Sequence, residues 1–186
     1  MNTPTRIAAL ALLLGCSAGF VAASGRAETP APVPGSAQPV PASAQEVDIL
    51  GVVVSPQTGT PLVLLQGKRD GRAFAMAIGP AEATGIALPL AGRIPPRPLT
   101  HDLFAMLFGR LNVTVTKAVI SDLRDDVYYA TLYLTAAGTD HVLDARPSDA
   151  IALAIRAKAP VLVEERVLER AELITPAPTA PGGPRI

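Results

Sequence analysis

The chain has 186 residues, enough for one ordinary domain, and its apolar fraction of 49% is too high for a disordered polar chain. Lysine and arginine together number 16, as do aspartate and glutamate, so the formal net charge is zero. A protein that binds nucleic acid through charge alone is usually basic, so this simple mode of binding is disfavoured. The single cysteine, Cys16, excludes an intrachain disulfide framework and a zinc site built from cysteines.

Residues 1–24 have the features of an export signal. Arg6 precedes an apolar run over residues 7–23, which contains small residues and has the minimum length for a membrane span. The small residues Ala22-Ala23-Ser24 at its end suit cleavage by signal peptidase. We therefore predict an exported protein of the periplasm or cell envelope, with a retained N-terminal anchor as the alternative.

Cys16 allows a second interpretation of this segment. Leu13-Leu14-Gly15-Cys16 resembles a bacterial lipobox, in which the cysteine would be lipidated and become the first residue. Against this, the apolar run continues through Phe20 and Val21, whereas the segment after a lipidated cysteine is usually polar. The alternative is that Cys16 is discarded with the signal, so the membrane is a predicted partner only if Cys16 is lipidated.

Proline-rich segments flank one predicted domain. Residues 25–45 form a Pro/Ala-rich linker, and residues 175–186 repeat this composition as a predicted disordered tail. The domain between them, residues 46–174, has a formal charge of −2 and is long enough to bury one core.

Strands come first in this domain. Three are predicted, at 47–55, 62–65 and 73–78. The second and third form a hairpin around the turn Lys68-Arg69-Asp70-Gly71. Pro80 begins a short helix to about Leu88, because proline is tolerated in the first helical turn, and a proline-stiffened loop follows over residues 92–99.

A helix is predicted from His101 to about Asn112, with Thr100 as its N-cap. Apolar side chains recur at helical spacing and predict one broad buried face: Leu103, Phe104, Leu107, Phe108 and Leu111.

Three strands are predicted in the second half of the domain, at 113–123, at 127–135 and from 138 to about 144. A helix at 147–157, a short strand at 161–163 and a final helix from 164 onward follow them. The helix that begins at Pro147 is apolar nearly all round, which is typical of an enclosed helix. Because strands and helices are grouped rather than alternating, the predicted class is α+β.

Standard catalytic motifs are missing, so two clusters of ionised residues carry the functional argument. The first runs from Arg97 to Asp102 and places His101 and Asp102 in the first turn of a helix. One interpretation is structural, with Asp102 complementing the helix dipole and His101 at the surface. In the other interpretation, His101 and Asp102 transfer a proton or orient a substrate at the helix N-terminus, where the free backbone N–H groups suit a phosphate.

The second cluster runs from Asp144 to Asp149 and is followed by Arg156. Asp149 and Arg156 lie seven residues apart on a helix with almost no other charge, so both need partners. They could form an ion-pair network that pins the helix to the sheet. Alternatively, they could belong to a site with carboxylates for a metal or general base and arginines for a phosphate.

Together these segments resemble the bifunctional nuclease domain family. The matching pieces are Ile78-Gly79 with Glu82-Ala83, the run from Arg97 to Leu103, Tyr129-Ala130 and, above all, LDARPSDAIALAIR from Leu143 to Arg156. The resemblance covers about residues 47–172. It implies an α+β single domain whose mixed, strongly curved sheet forms a partial barrel with three to four helices packed against it. It also implies a homodimer that hydrolyses phosphodiester bonds of RNA, DNA or both.

On this hypothesis the candidate residues take specific roles. The predicted catalytic residues are His101, Asp102, Asp144 and Asp149, and the predicted substrate-binding residues are Arg97, Arg146, Ser148 and Arg156. The candidate ligands of a divalent cation, Mg²⁺ or Mn²⁺, are Glu82, Asp144 and Asp149. The alternative is a non-catalytic envelope binding or scaffold module, in which these residues form an ion-pair network. A locally positive surface around Arg97 and Arg146 would favour the nuclease.

Overall fold

The computed structural model describes residues 43–175, all within one compact unit. The predicted signal, most of the predicted linker and most of the predicted tail lie outside the described residues. In chain order the described elements are β1 (Gln45–Val54), β2 (Pro61–Gly67), β3 (Ala73–Ala77), α1 (Pro80–Leu90), α2 (Thr100–Arg110), β4 (Val113–Arg124), β5 (Val127–Ala136), β6 (Thr139–Ala145), α3 (Pro147–Ala157), β7 (Val161–Val163), α4 (Glu165–Arg170) and β8 (Leu173–Ile174).

The strands form one mixed sheet in the order β6-β5-β4-β7-β1-β2-β3-β8. The short strand β7 joins its two halves, since it runs parallel to β4 and antiparallel to β1. The predicted α+β class is confirmed. The prediction of a partial barrel is wrong, because the sheet is neither closed nor strongly curled. Closure requires the two edge strands to pair, and here β6 and β8 lie at opposite ends of the order.

Local signals predicted most element positions to within a few residues. The hairpin of β2 and β3 and the long antiparallel pair of β4 and β5 form as expected. In β5 the drier face is confirmed, with Ala130, Leu132 and Leu134 buried. The turn between β4 and β5 places Asp125 and Asp126 at positive φ, a conformation that aspartate tolerates better than most residues.

Helix α3 lies at the centre of the core, as its composition predicted. Residues 150–154 are all buried, and the helix packs against α1, α2, β4 and β5. Its small alanine side chains allow close approach of these neighbours, so α3 fixes the positions of the elements around it. Within residues 43–175, no helix combines the length and the apolar character needed to cross a membrane.

The predicted burial of α2 is wrong. Four of the five predicted core residues are exposed: Leu103 at 62%, Phe104 at 46%, Leu107 at 46% and Leu111 at 61%. Of the five, only Phe108 is partly buried. His101 is the buried residue of this helix instead. The N-cap is Leu99 rather than Thr100, and the N–H of Leu99 donates to Oδ2 of Asp102 at 2.7 Å. Polar partners of the first turn therefore decide which side of α2 faces inward.

An ionic cluster joins the turn between β2 and β3 to β1 and α4. Oδ2 of Asp70 accepts hydrogen bonds from Nε of Arg72 at 2.8 Å and from Nε2 of Gln45 at 2.7 Å, and Arg72 also binds Glu165 at 2.6 Å. The hydrogen bond from Arg72 is the main reason that the pKa of Asp70 falls from 3.8 to about 2. Ionised Asp70 therefore stabilises the folded state more than the unfolded one.

We expect Asp70→Asn to lower the free energy of unfolding at pH 7. Because the pKa of Asp70 is lower in the folded state, its contribution is complete above about pH 4 and is lost as the pH falls towards about 2. The variant should therefore lose less stability than the wild type over this interval. Urea unfolding across the interval measures the difference.

Asp125→Asn is the matched control, since Asp125 lies exposed in a turn and makes no ion pair with residues 43–175. It should retain the wild-type pH dependence. An Asp70 variant that also retained it would contradict the stabilising role of Asp70.

Candidate functional site

The N-terminal turns of three helices converge to form the candidate site. Glu82 lies in the first turn of α1, Asp102 in that of α2 and Asp149 in that of α3. Pro80 and Pro147 begin α1 and α3, where a missing N–H costs no helical hydrogen bond. The positive end of each helix dipole favours a carboxylate at such a position, and Glu82 and Asp149 lie close enough to share one arginine.

Arg146, directly before α3, bridges two of these carboxylates. Its Nη2 lies 2.9 Å from Oε1 of Glu82, and its Nε lies 2.7 Å from Oδ2 of Asp149. The hydrogen bond to Asp149, with a weaker contribution from Glu82, raises the pKa of Arg146. The Arg146 side chain is nevertheless 65% exposed, and its Nη1 makes no hydrogen bond with residues 43–175. Part of the guanidinium therefore remains accessible to a ligand.

His101 and Asp149 form a dyad, with Nε2 of the imidazole 3.0 Å from Oδ1 of the carboxylate. Burial raises the pKa of Asp149, but hydrogen bonds from Arg146 and His101 together outweigh burial, so its pKa lies below the ordinary value. An ionised carboxylate can only accept hydrogen bonds, so Nε2 carries a proton, and in the neutral imidazole Nδ1 is the acceptor nitrogen.

A glycine makes room for the imidazole of His101 beside α1. A Cβ atom built at Gly85 in α1 would lie 2.8 Å from Nδ1, so any larger residue would displace the ring. Nδ1 makes no hydrogen bond with residues 43–175, and these residues include no buried side-chain polar atom without a partner. Nδ1 is therefore free of hydrogen bonds to these residues and lies beside the α1 backbone at Gly85.

A second ion pair holds the three helices together. Nε of Arg156 donates to Oδ1 of Asp102 at 2.6 Å, and its Nη1 donates to the carbonyl oxygens of Gly85 and Ala152 at 2.8 and 2.9 Å. Burial raises the pKa of Asp102, but hydrogen bonds from the Leu99 N–H and Arg156 lower it below its ordinary value. With only 8% of its side chain exposed, Arg156 has protein partners rather than a free face.

Two clefts open at this convergence. The first cleft, of 310 Å³, is lined by Ala81, Glu82, Thr84, Gly85, Leu99, Thr100, His101, Arg146 and Asp149. The second cleft, of 540 Å³, is lined by Met76, Ala77, Ile78, Gly79, Glu82, Asp126, Val127, Tyr128, Arg146, Pro147 and Ser148. Glu82 and Arg146 belong to both linings.

The structure brings four predicted residues together in the first cleft: Glu82, His101, Arg146 and Asp149. Ser148 is buried and lines the second cleft.

The other predicted residues line neither cleft. Asp102 and Arg156 pair with each other, while Arg97 and Asp144 are exposed and make no ion pair with residues 43–175. The ion-pair network thus joins α3 to α1 and α2 rather than to the sheet.

Sequence reasoning missed Gly85, which positions the imidazole of His101. A signal was present, because glycine inside a helix costs about 1 kcal/mol relative to alanine and indicates a packing or functional reason. Gly85 lies within α1 and is buried. Its partner in space, His101, lies beyond the proline-rich loop, so the sequence did not indicate which group approaches it.

The candidate metal ligands do not fit a cation held by protein groups. Among residues 43–175, no three histidine, cysteine, aspartate or glutamate side chains are placed to hold a metal ion. Glu82 and Asp149 both bind the guanidinium of Arg146, which lies where a cation shared by these carboxylates would have to lie. Asp144 is opposite Thr131 in the ladder between β5 and β6.

Comparisons with known proteins agree with the sequence resemblance. The family model of the bifunctional nuclease domain matches residues 63–176. An uncharacterised protein of Mycobacterium tuberculosis is 38% identical over 131 residues, which cover 70% of this chain and 78% of the relative. Two rice proteins are each 35% identical over 75 residues: bifunctional nuclease 1 of Oryza sativa subsp. japonica and a bifunctional nuclease of Oryza minuta. These 75 residues cover 39% of this chain and 23% of each relative.

We expect Gly85→Ala to lower the free energy of unfolding by about 1 to 3 kcal/mol, the usual cost of overpacking. The added methyl group must displace the imidazole of His101 and so disturb the dyad. Chemical denaturation measures the stability change, and the NMR signals of the His101 ring report its displacement.

Gly109→Ala in α2 is the matched control, because a Cβ atom there meets no atom within 4 Å. It should raise the free energy of unfolding by about 0.5 to 1 kcal/mol, as expected for an exposed helical position. An equal gain in stability from Gly85→Ala would show that His101 is not held against α1.

Proposed function

The chain belongs to the bifunctional nuclease domain family, and from this premise we propose that it hydrolyses phosphodiester bonds of RNA, DNA or both in the first cleft. The observation that carries the proposal is the His101–Asp149 dyad, which lines the first cleft and whose nitrogen Nδ1 makes no hydrogen bond with residues 43–175. Export through the predicted signal would bring this activity to the periplasm or cell envelope.

The dyad suits general-base catalysis. Nδ1 of His101 would take a proton from a water molecule as its oxygen attacks phosphorus. Asp149 would hold the ring in the required tautomer and stabilise the imidazolium through the proton on Nε2. Cleavage of the bond from phosphorus to the leaving oxygen completes the step, and that oxygen takes a proton from solvent.

Arg146 suits binding of the reacting phosphate. The N–H groups of its Nη1 are free to donate to a non-bridging phosphate oxygen, where they would oppose the negative charge that develops in the transition state. Asp149 would continue to hold Nε of Arg146, so the guanidinium keeps its orientation when a phosphate binds.

The charge distribution supports a second candidate function. Arg146 shares its charge with Glu82 and Asp149, and Arg97 lines neither cleft, so the locally positive surface expected of a nuclease does not form here. This observation favours a non-catalytic binding or scaffold module in which the same groups form a structural ion-pair network.

Hydrolysis by purified residues 25–186 separates the two functions. RNA, single-stranded DNA and double-stranded DNA are tested with Mg²⁺, with Mn²⁺ and with EDTA. We expect His101→Asn to reduce cleavage by about 100-fold or more, because it removes the general base. His141→Asn is the matched control, since this second histidine is exposed on β6 and should leave the rate unchanged.

Equal cleavage by the wild type and both variants would contradict the role of His101. A wild type that cleaves no substrate, combined with a lower melting temperature of His101→Asn, would favour the structural network. Activity that persists in EDTA would agree with a site whose carboxylates are occupied by Arg146.

We also propose that two copies of the chain associate through the exposed apolar face of α2. This face presents five large side chains to solvent: Leu103, Phe104, Met106, Leu107 and Leu111. Contiguous apolar surface of this kind is typical of protein interfaces, and a twofold dimer would bury the same face of both copies.

We expect Leu107→Glu to convert a homodimer to a monomer, because the twofold arrangement would bring two carboxylates into an apolar contact. Light scattering at several protein concentrations measures the mass. Ile94→Glu, at a residue that is 94% exposed in the loop before α2, should leave the dimer intact. A wild type that remains monomeric throughout would contradict the proposal.

A further inference from the structure

The first and second clefts share one wall, formed by the ion pair of Glu82 and Arg146. The guanidinium at this wall is largely exposed, with Nη1 free of hydrogen bonds to residues 43–175. An anion bound by Arg146 would therefore lie between the two clefts and could carry a substituent on either side.

The two clefts differ in chemistry. The first contains the dyad of His101 and Asp149. The second is larger and mostly apolar, with six such residues: Met76, Ala77, Ile78, Val127, Tyr128 and Pro147. Its volume of 540 Å³ lies in the range of pockets that bind small organic molecules. Tyr128 is stacked on Phe74, with 6.0 Å between ring centroids, so this part of the lining is held in place.

Charge also limits what the second cleft can take. Asp126 and Glu82 both line it, and Arg146 at the shared wall is its only lining cation. Glu82 is paired with Arg146, but Asp126 makes no ion pair with residues 43–175 and would repel a phosphate placed beside it. An uncharged group with an apolar face and N–H or O–H donors fits better, and a nucleoside has this character.

Building on the proposed function, we propose that the second cleft is a binding subsite for the nucleoside that adjoins the reacting phosphate. The phosphate would lie on Arg146, with one nucleoside in each cleft, so the smallest fully bound ligand is a dinucleoside monophosphate. Stacked, paired neighbours in a duplex cannot enter two clefts without being unpaired, so single strands would bind better.

Binding to the His101→Asn protein tests this subsite without cleavage. The probes are the dinucleotide TpT and thymidine 5′-monophosphate, titrated into ¹⁵N-labelled residues 25–186. We expect TpT to bind about tenfold more tightly than the mononucleotide, a difference of about 1.4 kcal/mol. TpT should also shift the amide signals of residues 76–79 and 126–128.

Ala77→Trp is introduced into the His101→Asn protein. Ala77 is exposed at the end of β3 and lines the second cleft, so the larger side chain should fill that cleft. It should remove the advantage of TpT and leave mononucleotide affinity unchanged. Val127→Trp, at a residue that is 53% exposed, should do the same by filling the cleft without adding a charge. Ala91→Trp is the matched control, because Ala91 is exposed and lines neither cleft.

The outcomes separate this proposal from the proposed function. If TpT binds no more tightly than the mononucleotide, or if both folded second-cleft variants retain its advantage, the subsite is overturned while cleavage by the wild type still supports the hydrolase. If neither probe shifts a signal around either cleft and the wild type does not cleave, the proposed function fails as well.

Discussion

The buried guanidinium of Arg156 determines how the three helices around the site are arranged. From α3 it donates to Asp102 of α2 and to the carbonyl oxygen of Gly85 in α1. A charge with so little contact with water must keep all its partners, because leaving it unpaired would cost several kcal/mol. The positions of α1 and α2 relative to α3 are therefore constrained by one side chain in the last turn of α3, while the first cleft lies at the first turn of that helix.

That constraint also determines which side of α2 faces the protein. Asp102 points to Arg156, and the neighbouring His101 binds Asp149, so the polar first turn is directed inward. The apolar side chains of Leu103 and Leu107 then face solvent, although their spacing is that of a core helix. The same ion pair thus links the geometry of the site to the surface that would associate with a second copy.

Two arginines of one short motif have opposite environments. The Arg156 side chain is buried and its Nε and Nη1 bind groups on three helices, whereas the Arg146 side chain is mostly exposed and binds two carboxylates. A buried guanidinium that binds protein groups stabilises a fold, while an exposed one with free donors can bind an anion. This difference suits Arg146 to the proposed ligand-binding role and Arg156 to a structural one, although both had been predicted to bind substrate.

The sequence alone determined the elements whose signals are local, and it indicated the family through the run from Leu143 to Arg156. Alternation in β5 and proline in the first turn of α3 depend on neighbouring residues, so they could be predicted. Only the tertiary structure decided that the sheet stays open and that α2 exposes its apolar face. It also paired Asp102 with Arg156 across 54 positions. The physical reason is that a periodic pattern specifies an apolar or charged face, whereas the group that covers it comes from residues distant in the chain.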